Sequence, residues 1–88
     1  MEHYEHNEHK DIESILLEHY EDEIEGACDY AKLAEKYPEY AKDFWALGRE
    51  EVTHADHFRT LLRHHGHEFS DEHEGKWHRV LKKYGFER

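Results

Sequence analysis

The chain has one cysteine, one proline, one methionine and five glycines in 88 residues. Each scarcity excludes something. A lone Cys28 can build neither a disulfide framework nor a thiolate metal cluster. A single proline, Pro38, leaves long stretches on either side free to be continuous helix. No apolar run reaches membrane-spanning length, and no charged-then-apolar leader opens the chain, so the expectation is a soluble, cytoplasmic protein. Positive charge is also short. Twelve Lys and Arg stand against 22 Asp and Glu, a formal net charge of −10. That balance argues against a nucleic-acid partner and an anionic membrane surface, and it favours cations as the thing handled.

What is present is 36% apolar residues, 14% aromatics and 39% charged residues. Such a short chain closes only a small core by itself. The combination suits a few amphipathic helices that complete their core by oligomerising. Residues 1–10, MEHYEHNEHK, show no core periodicity and read as a flexible His/Glu-rich arm, with weak metal capture as the sharper alternative. Residues 11–88 read as one helical domain. Asp11 is an acceptable N-cap for a helix running to about Tyr37. Pro38 stops it and suits the first turn of a second helix, from about Glu39 to His65, which Gly66 ends. After the linker HEFS, Ser70 can cap a shorter helix that ends at Tyr84, with Gly85 as its stop and Trp77, Val80, Leu81 and Tyr84 as a narrow apolar face. Strand-like alternation is missing, and the fold class is all-α.

The segment GREEVTHADHF, residues 48–58, holds a Glu-x-x-His pair, Glu51 and His54. In a chain this rich in glutamate and histidine, one such pair is expected by chance, so its phase has to decide. A heptad-like stripe on the first helix reads Leu16, Tyr20, Glu23, Ala27, Tyr30, Ala34, Tyr37. On the second it reads Tyr40, Phe44, Leu47, Glu51, His54, Phe58, Leu61, His65. Such stripes line helix–helix seams. Glu23, Glu51 and His54 therefore fall where the pattern wants apolar groups, while Glu50 lies about 100° off the stripe and Asp22 and Glu25 flank it. Measured from the turn at Pro38, all three lie about 20 Å along their helices, so antiparallel packing sets them level. A bound cation is the usual way to offset such carboxylates.

One hairpin supplies two carboxylates and one imidazole, half of a carboxylate-bridged di-metal set. Two copies related by a two-fold axis would complete it at a homodimer interface, as a four-helix bundle. Oxygen-rich ligation with one histidine per metal suits iron or manganese better than structural zinc. The remaining histidines have quieter readings. His65 suits a helix C-terminus, and His57, His64, His67, His73 and His78 read as surface residues. Trp45 and Trp77 read as packing residues and Cys28 as a small apolar filler.

EIEGACDYAKLA, residues 23–34, followed by FWALGREEVTHADHF, residues 44–58, resembles the two halves of the ferritin and rubrerythrin di-iron pattern. There a metal-binding Glu precedes a Tyr by seven residues, and a later helix carries Glu-x-x-His. The matching positions here are Glu23, Tyr30, Glu51 and His54. The short two-helix form is similar to encapsulated ferritin, whose site forms only between subunits. The resemblance covers residues 11–65. It implies a ferroxidase that oxidises Fe(II) with dioxygen at a di-iron centre, two irons per homodimer, for iron storage or detoxification. Manganese, zinc or calcium are substitute ions. It implies acids beside the site, matched by Asp22 and Glu25; Tyr30 reads either as a hydrogen-bond partner of a ligand carboxylate or as an aromatic core residue at helical spacing. It further implies at least a dimer, an annular decamer as the larger assembly, and an encapsulin nanocompartment as the surrounding shell. The ending KKYGFER departs from the pattern, because the shell-docking tail of that family is not evident in it. Two alternatives stand beside ferroxidation: a non-enzymatic helical assembly module stabilised by metal, and rubrerythrin-like peroxide reduction, for which the chain offers no rubredoxin-like cysteine centre.

Overall fold

A computed structural model describes residues 11–86. The expectation for the arm at residues 1–10 lies outside the described residues. Among the described residues, three α-helices are joined by short connections: α1, Ile12–Lys36; α2, Ala41–His64; and α3, Asp71–Lys83. A single 3-10 turn, Pro38–Tyr40, separates α1 from α2. Among the described residues there is no strand, and no helix is long and apolar enough to cross a membrane.

The helix ends follow local chemistry. The Asp11 carboxylate accepts a hydrogen bond from the Ser14 N–H at 2.8 Å, and that bond holds its carboxyl below the usual range. The Ser70 hydroxyl accepts from the His73 N–H at 3.1 Å. Tyr37, pushed out of helical space by the following proline, takes φ −122° and ψ 80°. At the end of α2, His67 N–H reaches back to the Leu62 carbonyl and Gly66 N–H to Arg63, with Gly66 at φ 82°. At the end of α3, Phe86 and Gly85 repeat the pattern onto Leu81 and Lys82, with Gly85 at φ 78°. Both are Schellman caps, which need the left-handed residue that glycine supplies without strain.

α1 and α2 form an antiparallel hairpin, and α3 folds back across one side of it. The faces that meet are set by small residues. Ala27 and Ala31 of α1 are buried together with Val52, Ala55 and Leu62 of α2 and with Trp77, Val80 and Tyr84 at the C-terminal end of the chain. Gly48 is also buried. A Cβ at Gly48 would collide with the Tyr84 hydroxyl and ring. The bare backbone there lets Tyr84 enter between the two long helices. Its hydroxyl donates to the Ala27 carbonyl, and Trp45 meets its ring edge-on with centroids 5.1 Å apart. Burial pushes the Tyr84 hydroxyl pKa up to about 12, so it stays a donor.

Arg59 is the one charged residue in the described core, 2% exposed. It donates to the Tyr20 hydroxyl at 3.1 Å and to Glu74 at 2.5 Å. Its guanidinium also lies over the rings of Phe69 and Trp77, at 4.2 and 4.8 Å from their centroids. A planar cation suits such a box of aromatic faces, and it ties α2 to α3.

The stripes expected from the sequence need a correction. On α1, Leu16, Tyr20, Ala27 and Ala34 are buried, but Ile24 and Ala31 join them in place of Glu23 and Tyr30. On α2 the buried set is Gly48, Val52, Ala55, Arg59 and Leu62, one position on from the expected seam. The expected stripe residues Tyr37, Tyr40, Leu47 and Leu61 are instead exposed, by 40%, 57%, 40% and 45%. The cause is α3: once Tyr84 and Trp77 fill one side of the hairpin, α2 turns its Gly48–Leu62 face inward and leaves the Leu47–Leu61 face open.

Candidate metal centre

Glu23 of α1 and Glu51 and His54 of α2 come together on that open face. One ligand atom from each lies within 4.8 Å of the others. The Nδ1 of His54 is 3.4 Å from a Glu23 oxygen. Level placement along the hairpin produces this meeting: α1 descends to Pro38 and α2 rises from it at the same pitch per residue.

The burial differs from the sequence expectation of ions sealed in a seam. The two carboxylates are half-buried, and the Glu23 side chain is 22% exposed, whereas the His54 side chain is 57% exposed. The group sits at the rim of the hairpin, reachable by solvent ions, because the in-chain seam has moved one residue on.

The electrostatics match a site wanting a cation. The Glu51 carboxyl is pushed up to about 7, first by the hydrogen bond it shares with Glu23, then by burial and by the Glu23 charge, while His54 acts in the opposite sense. A carboxyl set beside a second carboxylate gives up its proton less readily until something else brings positive charge. Gly26 faces the Glu51 carboxyl across the hairpin. A Cβ there would stand 3.4 Å from the Glu51 carboxyl carbon and one of its oxygens.

The other expected site residues fall elsewhere. Asp22 and Glu25 are exposed and outside the three-residue group. Tyr30 is half-buried and stacks on Phe44 with centroids 6.3 Å apart. Among the described residues its hydroxyl has no hydrogen bond to Glu23 or Glu51 of the same chain. A helical step of seven residues sets Tyr30 two turns further along α1 from Glu23. Two histidines read as surface residues have partners. His67 pairs with Glu13 at 2.5 Å and lies against Phe69, and His73 lies 3.4 Å from Glu21.

Sequence reasoning passed over Gly26, Gly48 and Arg59, and it read Tyr84 only as part of an apolar face, without its hydrogen bond to Ala27. The two glycines carried a usable signal, since glycine inside a helix costs about 1 kcal/mol against alanine and so marks a close approach. Nothing comparable marked Arg59, whose aromatic neighbours come from three separate segments. No family model matches this chain, and neither does any curated protein or solved structure.

Proposed function

We propose that Glu23, Glu51 and His54 are half of a carboxylate-rich metal centre that a second copy of the chain completes, and that the assembled site oxidises Fe(II) with dioxygen. The observation that carries this reading is the convergence of two carboxylates and an imidazole on the face that the chain leaves open. The fit to iron rests on the donor set. Glutamate oxygens favour a hard cation, and the raised Glu51 carboxyl beside Glu23 marks a concentration of negative charge that a divalent ion would satisfy. Iron bound there would supply one-electron redox chemistry, with Fe(II) giving up electrons and dioxygen accepting them.

The chain's own residues do the rest. Glu51, its carboxyl raised beside Glu23, releases its proton as the cation arrives. Glu23, crossing from α1, gives the site a carboxylate from each helix, and carboxylate charge favours the more highly charged oxidation state. Exposed His54 is placed to swing toward an ion without disturbing the core. Leu47 and Leu61, exposed on the same stripe of α2, would be covered by the second copy and keep water from the finished site. Half a ligand set beside uncovered apolar side chains is what a two-fold interface would leave on each protomer.

Anaerobic Fe(II) titration followed by oxygen tests the reading. Ultraviolet absorbance should rise on oxygenation with one iron per chain, and light scattering should show association. Redox-inert Zn(II) should promote association without oxygen consumption. If Fe(II) associates the chain and consumes no oxygen, the protein is a metal-stabilised assembly and no ferroxidase.

A further inference from the structure

On α1, Lys32 lies about 180° around the helix from Glu23, so the face that meets α3 is chemically separate from the metal donors. A groove of about 280 Å³ runs between α1 and α3 there. Its floor is apolar, made by Ala31, Val80 and Cys28. Its rim carries Lys32, Lys76, Arg79 and Lys83, against one acid, Glu35. Glu35 is taken by Lys83 at 2.8 Å. Among the described residues, Lys32, Lys76 and Arg79 have no anionic partner. The Tyr84 hydroxyl at the edge is already committed to the Ala27 carbonyl.

This arrangement runs against the composition. The chain has 22 acids to 12 Lys and Arg, yet only Glu35 among those acids lines this groove. A third of the chain's Lys and Arg instead surround one groove, where they repel one another unless an anion lies between them. The apolar floor rules out a purely hydrophilic ion as the best occupant, because burying it there would strip water without replacement. The volume falls just below the range for ligand sites, roughly 300–1,000 Å³, so only a small occupant fits.

We propose that this groove binds a small amphipathic organic anion, its head among Lys32, Lys76 and Arg79 and its short apolar body on Ala31, Val80 and Cys28. The occupant's class is a medium-chain carboxylate or a molecule of similar shape. The site is independent of the metal centre and works in the metal-free protein.

Cys28 is the only cysteine and lines the groove, so its alkylation reports on this place alone. The metal-free full chain would be treated with iodoacetamide alone and with octanoate, octanol or inorganic phosphate. Octanoate should slow alkylation several-fold, and octanol and phosphate should do so far less. Lys32→Glu/Lys76→Glu alters two exposed side chains and should keep the helical circular dichroism, yet lose the protection by octanoate. Equal protection by octanol would reduce the groove to an apolar cleft and overturn the proposal. So would equal protection by phosphate, or no protection by octanoate. A changed assembly size in the double variant would make the groove a contact between copies, and that too would overturn it.

Discussion

The Glu51 carboxyl is pushed up to about 7, first by its hydrogen bond to Glu23, so below that pH it keeps a proton that an isolated glutamate loses. The consequence for stability has a definite sign. A carboxyl raised from 4.5 to about 7 in the folded chain favours folding fully below pH 4.5 and loses that contribution as pH rises through 7. Metal binding runs the other way, since the cation must displace the proton. Metal affinity should therefore climb from pH 5 to about 7 and then flatten with respect to this group, as isothermal titration with Mn(II) would record. Glu51→Gln keeps the shape but carries no titrating proton, and should flatten that rise while weakening binding throughout. The neighbouring Gly26 separates stability from function. Gly26→Ala gains up to about 1 kcal/mol of helix propensity and crowds only the far end of a flexible Glu51 side chain. The apo melting temperature should hold or rise, while metal affinity falls. Glu50, exposed and off the donor group, gives the contrast. Glu50→Ala should leave most of the iron oxidation rate, and Glu23→Ala, Glu51→Ala and His54→Ala should abolish it. An essential Glu50 in stopped-flow oxidation assays would mean that the donor group is wrong.

At the scale of elements, α3 determines which faces of the hairpin are used. Its hold rests on two contacts that end in unusual partners: Tyr84 over bare Gly48, and Arg59 boxed by Tyr20, Phe69 and Trp77. Gly48→Ala forces Tyr84 out of its slot and should destabilise the fold by about 1–3 kcal/mol, the range for overpacking. Tyr84→Phe loses only the hydrogen bond to Ala27 and should cost about 0.5–1.5 kcal/mol. Urea denaturation of both variants checks the order. If Gly48→Ala proves the milder, the slot adapts and α3 is not fixed by it. Arg59→Lys is a third probe. Lysine keeps the charge but not the planar fork that reaches Tyr20 and Glu74 together, so it should fail to restore the stability of the parent chain.

The described residues extend 48 × 32 × 18 Å, and among them one side of the hairpin is covered by α3 while the other is bare. Of the large apolar residues exposed on it, Tyr37, Tyr40, Leu47 and Leu61 all belong to the stripes read from the sequence. If a second copy covers that face, Leu61→Glu should weaken association while leaving the protomer's helicity unchanged, because Leu61 is already 45% exposed. Sedimentation with and without Mn(II) would show it: the parent should shift toward the dimer with metal, and the variant should shift less. An unchanged dimer in Leu61→Glu would place the interface elsewhere and deny the site its second half.

Much of this was legible in the chain because its signals are local. Asp11, Ser70, Pro38, Gly66 and Gly85 fixed the helix ends through caps and turns that involve neighbours only a few residues away. The level meeting of Glu23 with Glu51 and His54 followed from counting residues either side of one proline. What periodicity could not decide was which apolar face the chain would cover with its own third helix and which it would leave for something else. Both stripes of α2, one through Leu47 and Leu61 and one through Val52 and Leu62, are apolar at helical spacing, and they lie only one residue apart. The choice between them depends on Tyr84 finding room at Gly48, a contact between residues far apart in the sequence. Only tertiary packing could settle that choice, and it set the three donors at the rim of the hairpin.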